Sequence, residues 1–332
     1  NPRSSKLKIC TDVIIVAGRV PCLLGVRYAY RMRLSSHSSE PDAPDSAQAS
    51  WRVRDLMALM ESWYPQATAQ SWDRVGLIVG DPDAPVRSLL LALDPTAVIA
   101  EQAVAGPDSD GHPYDMVITH HPLLLRGASF LPVTDPKGAV VTRLIRAGVS
   151  LFNAHTNADV ACEGVATALA DLIGLCDTVP LEPCGVDAEG HEIGLGRVGT
   201  IEPTTLGAFA DHVASVLPAG PTGLLVGGDE AMAVSRVAVL GGAGDSALNA
   251  ARAADVDVYL TADLRHHPAS EHLEGGRPAL LCGSHWATES PWLPVLARRI
   301  RAAASASEVE LRVEVSTIVT EPWTSYRVTQ GE

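Results

Sequence analysis

Asp115–Pro122 reads DMVITHHP: a short apolar run closed by two consecutive histidines and a proline. An apolar stretch of this length, bounded by an acid and by turn chemistry, reads as a buried strand. His120 and His121 then fall directly past its end. The chain repeats the arrangement. DVYLTADLRHHP (Asp257–Pro268) echoes DMVITHHP, and ALLCGSHWATE (Ala279–Glu289) echoes SLFNAHTNAD (Ser150–Asp159). Each copy is a strand that delivers polar residues at its C-terminal end, the edge where open α/β sheets build their sites. The expectation is an α/β protein of two related lobes, with mainly parallel sheets covered by helices and a site in the cleft between them.

Outward from these strands the pattern alternates. Ser50 can cap a helix from Trp51 to about Trp63, with Val53, Leu56, Leu59 and Met60 on one face. Strands are predicted at 86–93 and 149–154, and helices at 96–105, 139–147 and 164–175. The second half gives strands at 234–240, 257–260, 279–282 and 311–319, and helices at 246–254 and 291–303. Gly241, Gly242 and Gly244 make a tight turn. The stretch Pro180–Leu225 shows one clear helix, near 206–217, and is grouped with the second lobe. The lobes thus run over about 49–178 and 179–330.

Composition narrows the functional classes. With 25 Lys and Arg against 39 Asp and Glu, the formal charge is −14, so broad nucleic-acid binding gains nothing from counterion release. Apolar residues make up 46% of the 332, enough for a full core, while aromatics are only 5%, so that core is aliphatic. Cys10, Cys22, Cys162, Cys176, Cys184 and Cys282 form no C-x-x-C pair, which points to reduced thiols in a cytoplasmic protein. Residues 1–48 differ from the rest: through Arg33 they hold seven Lys or Arg against one acid, Asp12. Their apolar patch, Val13–Ala17, is too short to span a membrane. They read as an N-terminal extension outside the fold, with a Ser/Pro-rich linker over Ser35–Ser50; a basic start before an apolar patch is also the order of a targeting peptide.

Three clusters carry chemistry. His120 and His121, at a strand end where the chain turns, can address two neighbouring ions; the alternative is one surface and one capping histidine. His155-Thr156-Asn157-Ala158-Asp159 also follows a strand, and N-capping of the next helix competes for Asp159. In His285-Trp286-Ala287-Thr288-Glu289 a helical turn would bring imidazole and carboxylate, at i and i+4, onto one face. Imidazoles and carboxylates without thiolate suit Zn, Fe, Mn or Co rather than a closed structural zinc site. Carboxylates can bridge, so five side chains suffice for two ions with positions left open for water.

SWDRVGL (Ser71–Leu77), VITHHPLL (Val117–Leu124), AHTNAD (Ala154–Asp159), GRVG (Gly196–Gly199) and SHWATE (Ser284–Glu289) together resemble the motifs of the YbgI/Nif-three-like dinuclear metal-centre proteins, also called type 2 homologues of GTP cyclohydrolase 1. The resemblance runs in order from about residue 51 to 327. It implies two divalent transition-metal ions (Zn, Fe or Mn) on His120, His121, Asp159, His285 and Glu289, with the carboxylates bridging or flanking and His155 beside them. It also implies a homohexameric ring with the sites facing an inner cavity. The chain departs from the family where Thr261-Ala262-Asp263 stands for T-G-D or T-G-E, and where Gly283-Ser284-His285 stands for A-G-H. The first change bears on the loop shape around Ala262.

Two functional readings follow. One is a metal-dependent hydrolase of a small molecule. By resemblance this is GTP cyclohydrolysis, in which hydroxide attacks the guanine imidazole carbon and formate leaves; phosphoester hydrolysis would use the same metals. His155 and Glu289 are its candidate catalytic proton carriers. The other is a non-enzymatic metal-handling protein or interaction ring. Nothing in the residues selects guanine. Gly194–Gly199 matches G-x-G-x-x-G but opens no helix, so a dinucleotide site is not expected. Gly241–Gly244 is a better phosphate cradle, though a plain turn explains it. His266-His267 reads as a surface pair, and Trp72-Asp73 as structural, with Asp73 making turn hydrogen bonds.

Overall fold

Short runs of buried, mostly apolar residues become the central strands. The structure, a computed structural model, describes residues 50–108 and 111–329; the reading of residues 1–48 lies outside them. In chain order the first half runs β1 (Trp51–Arg52), α1 (Val53–Trp63), β2 (Gly76–Val79), β3 (Pro85–Val86), β4 (Ser88–Ala92), α2 (Ala97–Ala105), β5 (Met116–Thr119), α3 (Pro136–Ala147), β6 (Ser150–Asn153), α4 (Thr156–Val160) and α5 (Val165–Leu172). The second half runs β7 (Cys176–Val186), β8 (Glu192–Thr205), α6 (Leu206–Val216), β9 (Leu225–Gly227), β10 (Ala233–Ala243), α7 (Leu248–Ala253), β11 (Val258–Ala262), α8 (His266–Glu274), β12 (Ala279–Gly283), α9 (His285–Glu289), α10 (Trp292–Ala306) and β13 (Arg312–Val315). Among the described residues no helix is long and apolar enough to cross a membrane.

Two sheets result. The first has the order β13-β4-β5-β6-β2, parallel except for β2. Side chains alternate across it, as the two-residue period requires. Leu89, Leu91, Met116 and Ile118 face α1 and α10 with Leu56, Met60, Trp292, Leu296 and Ile300. Leu90, Val117 and Leu151 face α2 and α3 with Ile99, Ala103, Val140 and Leu144. The second sheet, β7-β8-β10-β11-β12-β9, is mixed: β10, β11 and β12 are parallel, and their flanking strands are antiparallel. Helices α5 and α6 pack on one face of it through Leu169, Phe209 and Val213, and α7 on the other through Leu248 and Ala251.

The fold adds β2, β9 and α8 to the elements read from the sequence and departs from that reading at three further points. The first helix begins at Val53, because Trp51 and Arg52 pair with Val86 and Pro85 and the Arg52 N–H donates to Asp55. The stretch after residue 175 holds a long β7–β8 hairpin that its Pro- and Thr-rich composition does not suggest. The C-terminal strand, grouped by sequence with the second lobe, returns to the first sheet beside β4. Helix α10 follows it there, since its buried face meets α1 in one core.

Candidate metal centre

Parallel strands end together, so the residues that follow them meet. Asp94 comes shortly after β4, His120 and His121 directly after β5, and His155 shortly after β6. In the second sheet Asp263 follows β11, and Ser284 and His285 follow β12. The Ser284 hydroxyl accepts the Ala287 N–H at 3.1 Å, which starts α9 at His285 and brings Glu289 onto the same face one turn later. His285 Nε2 and Glu289 Oε1 are 3.1 Å apart.

Side chains from both sheets converge. His121 Nε2 is 3.0 Å from Glu289 Oε2, and His120 Nε2 is 3.6 Å from Glu289 Oε1 and 3.5 Å from Asp159 Oδ1. The His155 ring centroid lies 5.1 Å from that of His120 and 5.6 Å from that of His121. All six residues singled out by sequence are therefore brought together. Asp159 does not cap a helix: it is the fourth residue of α4, and its Oδ1 is buried with no hydrogen-bond partner.

Every one of the four imidazoles has its Nδ1 tied elsewhere. His121 is held by Asp94 at 2.6 Å, His285 by Asp263 at 2.7 Å, His155 by Asp73 at 3.0 Å and His120 by the Ala154 carbonyl at 2.9 Å. Each contact fixes the ring and leaves Nε2 as the lone-pair nitrogen of the neutral tautomer, which is how metal-ligating histidines are oriented. His120 Nε2, Asp159 Oδ1 and Glu289 Oε2 are buried without a hydrogen-bond partner. His121 Nε2 approaches Glu289 Oε2 closely, but not along a hydrogen-bond direction. Buried polar atoms left unpaired carry a desolvation cost, and three in one place mark a position for something that pairs with all of them. A cation fits this donor set; an anion does not.

The charges agree. Burial opposes protonation of His121 and His285, but the Asp94, Asp263 and Glu289 carboxylates outweigh it and push the two pKa values up to about 10 and about 9. Burial, with the Glu289 charge beside it, pushes Asp159 up to about 7, while His120 and His121 pull Glu289 well below the usual carboxylate range against its burial. Burial, reinforced by His120, lowers His155 to about 4. Protons thus sit on His121 and His285 in the ion-free protein. Their folded pKa values lie above the ordinary 6.5, so the stability they add is complete below about 6.5 and is lost as pH rises through about 9 to 10. A cation must displace both protons. Loading Zn2+ at pH 8 should therefore release about two protons per chain, read by calorimetry in buffers of differing ionisation enthalpy. No proton release would show that neither imidazole is charged.

Several partners escaped the sequence reading. Asp94 carries no motif of its own, and Asp263 enters the sequence reading only as the end of Thr261-Ala262-Asp263, with no role at the site. Asp73, read as a turn residue, is buried and also accepts from the Thr156 N–H and hydroxyl, so it anchors the cluster at His155. Thr320 donates to Asp94, which brings the C-terminal segment to the site. Gly242 has φ +70°, and a Cβ there would meet Glu289 Oε1 at 2.1 Å, so only glycine fits over the carboxylate. The Gly242 N–H donates to Thr288 and the Gly244 N–H to the Ala262 carbonyl, so these two groups are already paired. Ala262 ends β11 in regular register with Gly283, so the departure there does not disturb the strand. The G-x-G-x-x-G stretch lies within β8, and His266 and His267 are exposed.

Comparison with known proteins supplies the family. The model of Duf34/NIF3 (NGG1p interacting factor 3) matches residues 51–322. The chain is 42% identical to a Streptomyces coelicolor protein named GTP cyclohydrolase 1 type 2 homolog, over 83% of this chain and 94% of that one. It is 34% identical to a Mycobacterium tuberculosis protein of the same name, over 82% and 97%. Among solved structures, a Bacillus cereus protein related to NIF3 superposes with a TM-score of 0.77 at 22% identity, covering 84% of this chain and all of that one. A Staphylococcus aureus hypothetical protein superposes with a TM-score of 0.75 at 26% identity, over 84% and 100%. The chain belongs to the Duf34/NIF3 family.

Proposed function

We propose that the chain binds two divalent transition-metal ions through His120, His121, Asp159, His285 and Glu289, and acts as a metal-dependent hydrolase on a small molecule. The observation that carries this reading is the trio of orphaned buried donors among imidazoles whose Nδ1 atoms are all anchored. The donors are nitrogen and oxygen, which suits Zn, Fe or Mn. Glu289 is the bridging candidate, because Oε1 meets His285 and His120 while Oε2 meets His121. When bound, such a pair supplies Lewis acidity and a hydroxide nucleophile at neutral pH.

The chain's own residues would do the rest. His155 is neutral at pH 7 and gives its Nδ1 proton to the Asp73 hydrogen bond, so its Nε2 is free to accept a proton. Glu289 is held ionised by its imidazoles, which suits it to holding cations rather than moving protons. The name of the relatives makes GTP the first substrate to try, with generic phosphoesters next. Protein stripped and reloaded with Zn2+, Fe2+ or Mn2+ should hold about two ions per chain and turn over one of these classes. His155→Ala should keep the ions and lower kcat by about 10²–10⁴-fold. Two ions with no turnover of any compound would favour the metal-handling alternative.

We further propose a closed ring of six copies, on the family resemblance. An exposed apolar edge supports self-association: Leu225 and Val226 on edge strand β9 are 67% and 40% exposed. Light scattering at micromolar concentration would remove the ring if it gave a mass near 34.9 kDa, that of one chain.

A further inference from the structure

A second group of ligand-type side chains shares no residue with the centre just described. The thiol of Cys162, on the loop between α4 and α5, meets Asp187 and His191 at the tip of the β7–β8 hairpin, and one donor atom from each lies within 4.8 Å of the other two. Asp187 Oδ1 accepts the Glu189 and His191 N–H groups at 3.1 and 2.8 Å, and its Oδ2 meets His191 Nδ1 at 3.1 Å. Turn formation accounts for that pair. It does not account for the thiol brought to it from another element.

The thiol's backbone is held in place. The buried Arg197 of β8 donates to the Ala161 carbonyl at 2.8 Å and to the Thr167 hydroxyl at 2.9 Å, and that hydroxyl donates to the Cys162 carbonyl at 2.6 Å. One strand of the hairpin thus fixes the loop that carries the thiol. The three side chains also line a cavity of about 610 Å³, together with Asn157 and Arg299. This is the size range of small-ligand pockets.

We propose that Cys162, Asp187 and His191 form a separate mononuclear site for a zinc-class divalent cation, with its fourth position open to the cavity. A thiolate, an imidazole and a carboxylate with one open position are the donor set of such sites. Donors around a tetrahedral zinc sit roughly 3.3–3.8 Å apart, so a cluster whose donors lie within 4.8 Å of one another needs to close by at most about 1.5 Å. The His191 side chain is 62% exposed on a turn and is free to do so. On binding, the Cys162 thiol loses its proton to solvent and the neutral imidazole of His191 supplies a lone pair.

The test uses the chemical difference between the two sites: thiolate in one, nitrogen and oxygen only in the other. The full chain is stripped with chelator and titrated with Co2+ under reducing conditions. A sulfur-to-cobalt charge-transfer band should appear in the near ultraviolet. It should be lost in Cys162→Ser and diminished in His191→Ala, whose exposed position carries no folding risk. Glu289→Gln should keep it, so failure of the dinuclear reading and failure of this one are distinguishable. Absence of the band in the wild-type chain, or an undiminished band in Cys162→Ser, overturns the proposal.

Discussion

Glu289→Gln should lower the metal content of reloaded protein from about two ions per chain to fewer than one, with affinity down at least about 100-fold. The carboxylate faces three imidazoles, with Oε1 toward His285 and His120 and Oε2 toward His121. Glutamine keeps the shape but removes the charge, and it turns one acceptor into an NH2 donor aimed at the imidazoles. Neither position can then share the side chain. His120→Ala and His121→Ala remove one donor each and should chiefly empty one position. Elemental analysis of the three variants after identical reloading decides the matter; equal losses in all three would rule out a bridging Glu289. Circular dichroism separates loss of metal from loss of fold.

Trp292→Ala should cost about 3–5 kcal/mol of stability, measured by urea unfolding of the metal-free protein. Trp292 is fully buried at the start of α10, edge-on to Tyr64 with ring centroids 5.6 Å apart. Its Nε1–H donates to the Tyr64 hydroxyl at 3.2 Å, and that hydroxyl donates to the Glu163 carbonyl at 3.2 Å. Truncation therefore leaves a large cavity and weakens the link between α10 and α1. The same ring lies 5.5 Å from that of His120, so the cavity opens against the histidine cluster. Metal affinity should fall together with stability, although Trp292 donates nothing to a cation. Trp292→Phe should recover most of the stability. A loss below about 1 kcal/mol for the alanine variant would show that the core collapses onto the gap.

The features legible in the sequence are those with local causes. DMVIT and its echoes read as buried strands because a short, mostly apolar run bounded by polar residues is best satisfied inside a covered sheet. The site residues could be listed from the chain because each falls at or just past such a strand. Glu289 could be joined to His285 because the helical period sets their spacing. Asp159 could not be separated from a capping role by pattern alone; the position of its unpaired oxygen against His120 made that distinction.

By itself, then, the sequence determined the parallel strands, the histidine and carboxylate clusters at their ends, and the acidic charge. Only the tertiary structure decided what holds the imidazoles in place. Asp94, Asp73 and Asp263 lie 27, 82 and 22 residues from the histidines they anchor, and Thr320 reaches Asp94 across 226. It also decided that β13 completes the first sheet rather than the second, and that the Pro-rich stretch after residue 175 forms a hairpin. The physical reason is common to all of these. Periodicity and propensity act over a few residues, whereas a strand's partner or a histidine's carboxylate is chosen by packing between segments far apart in the chain.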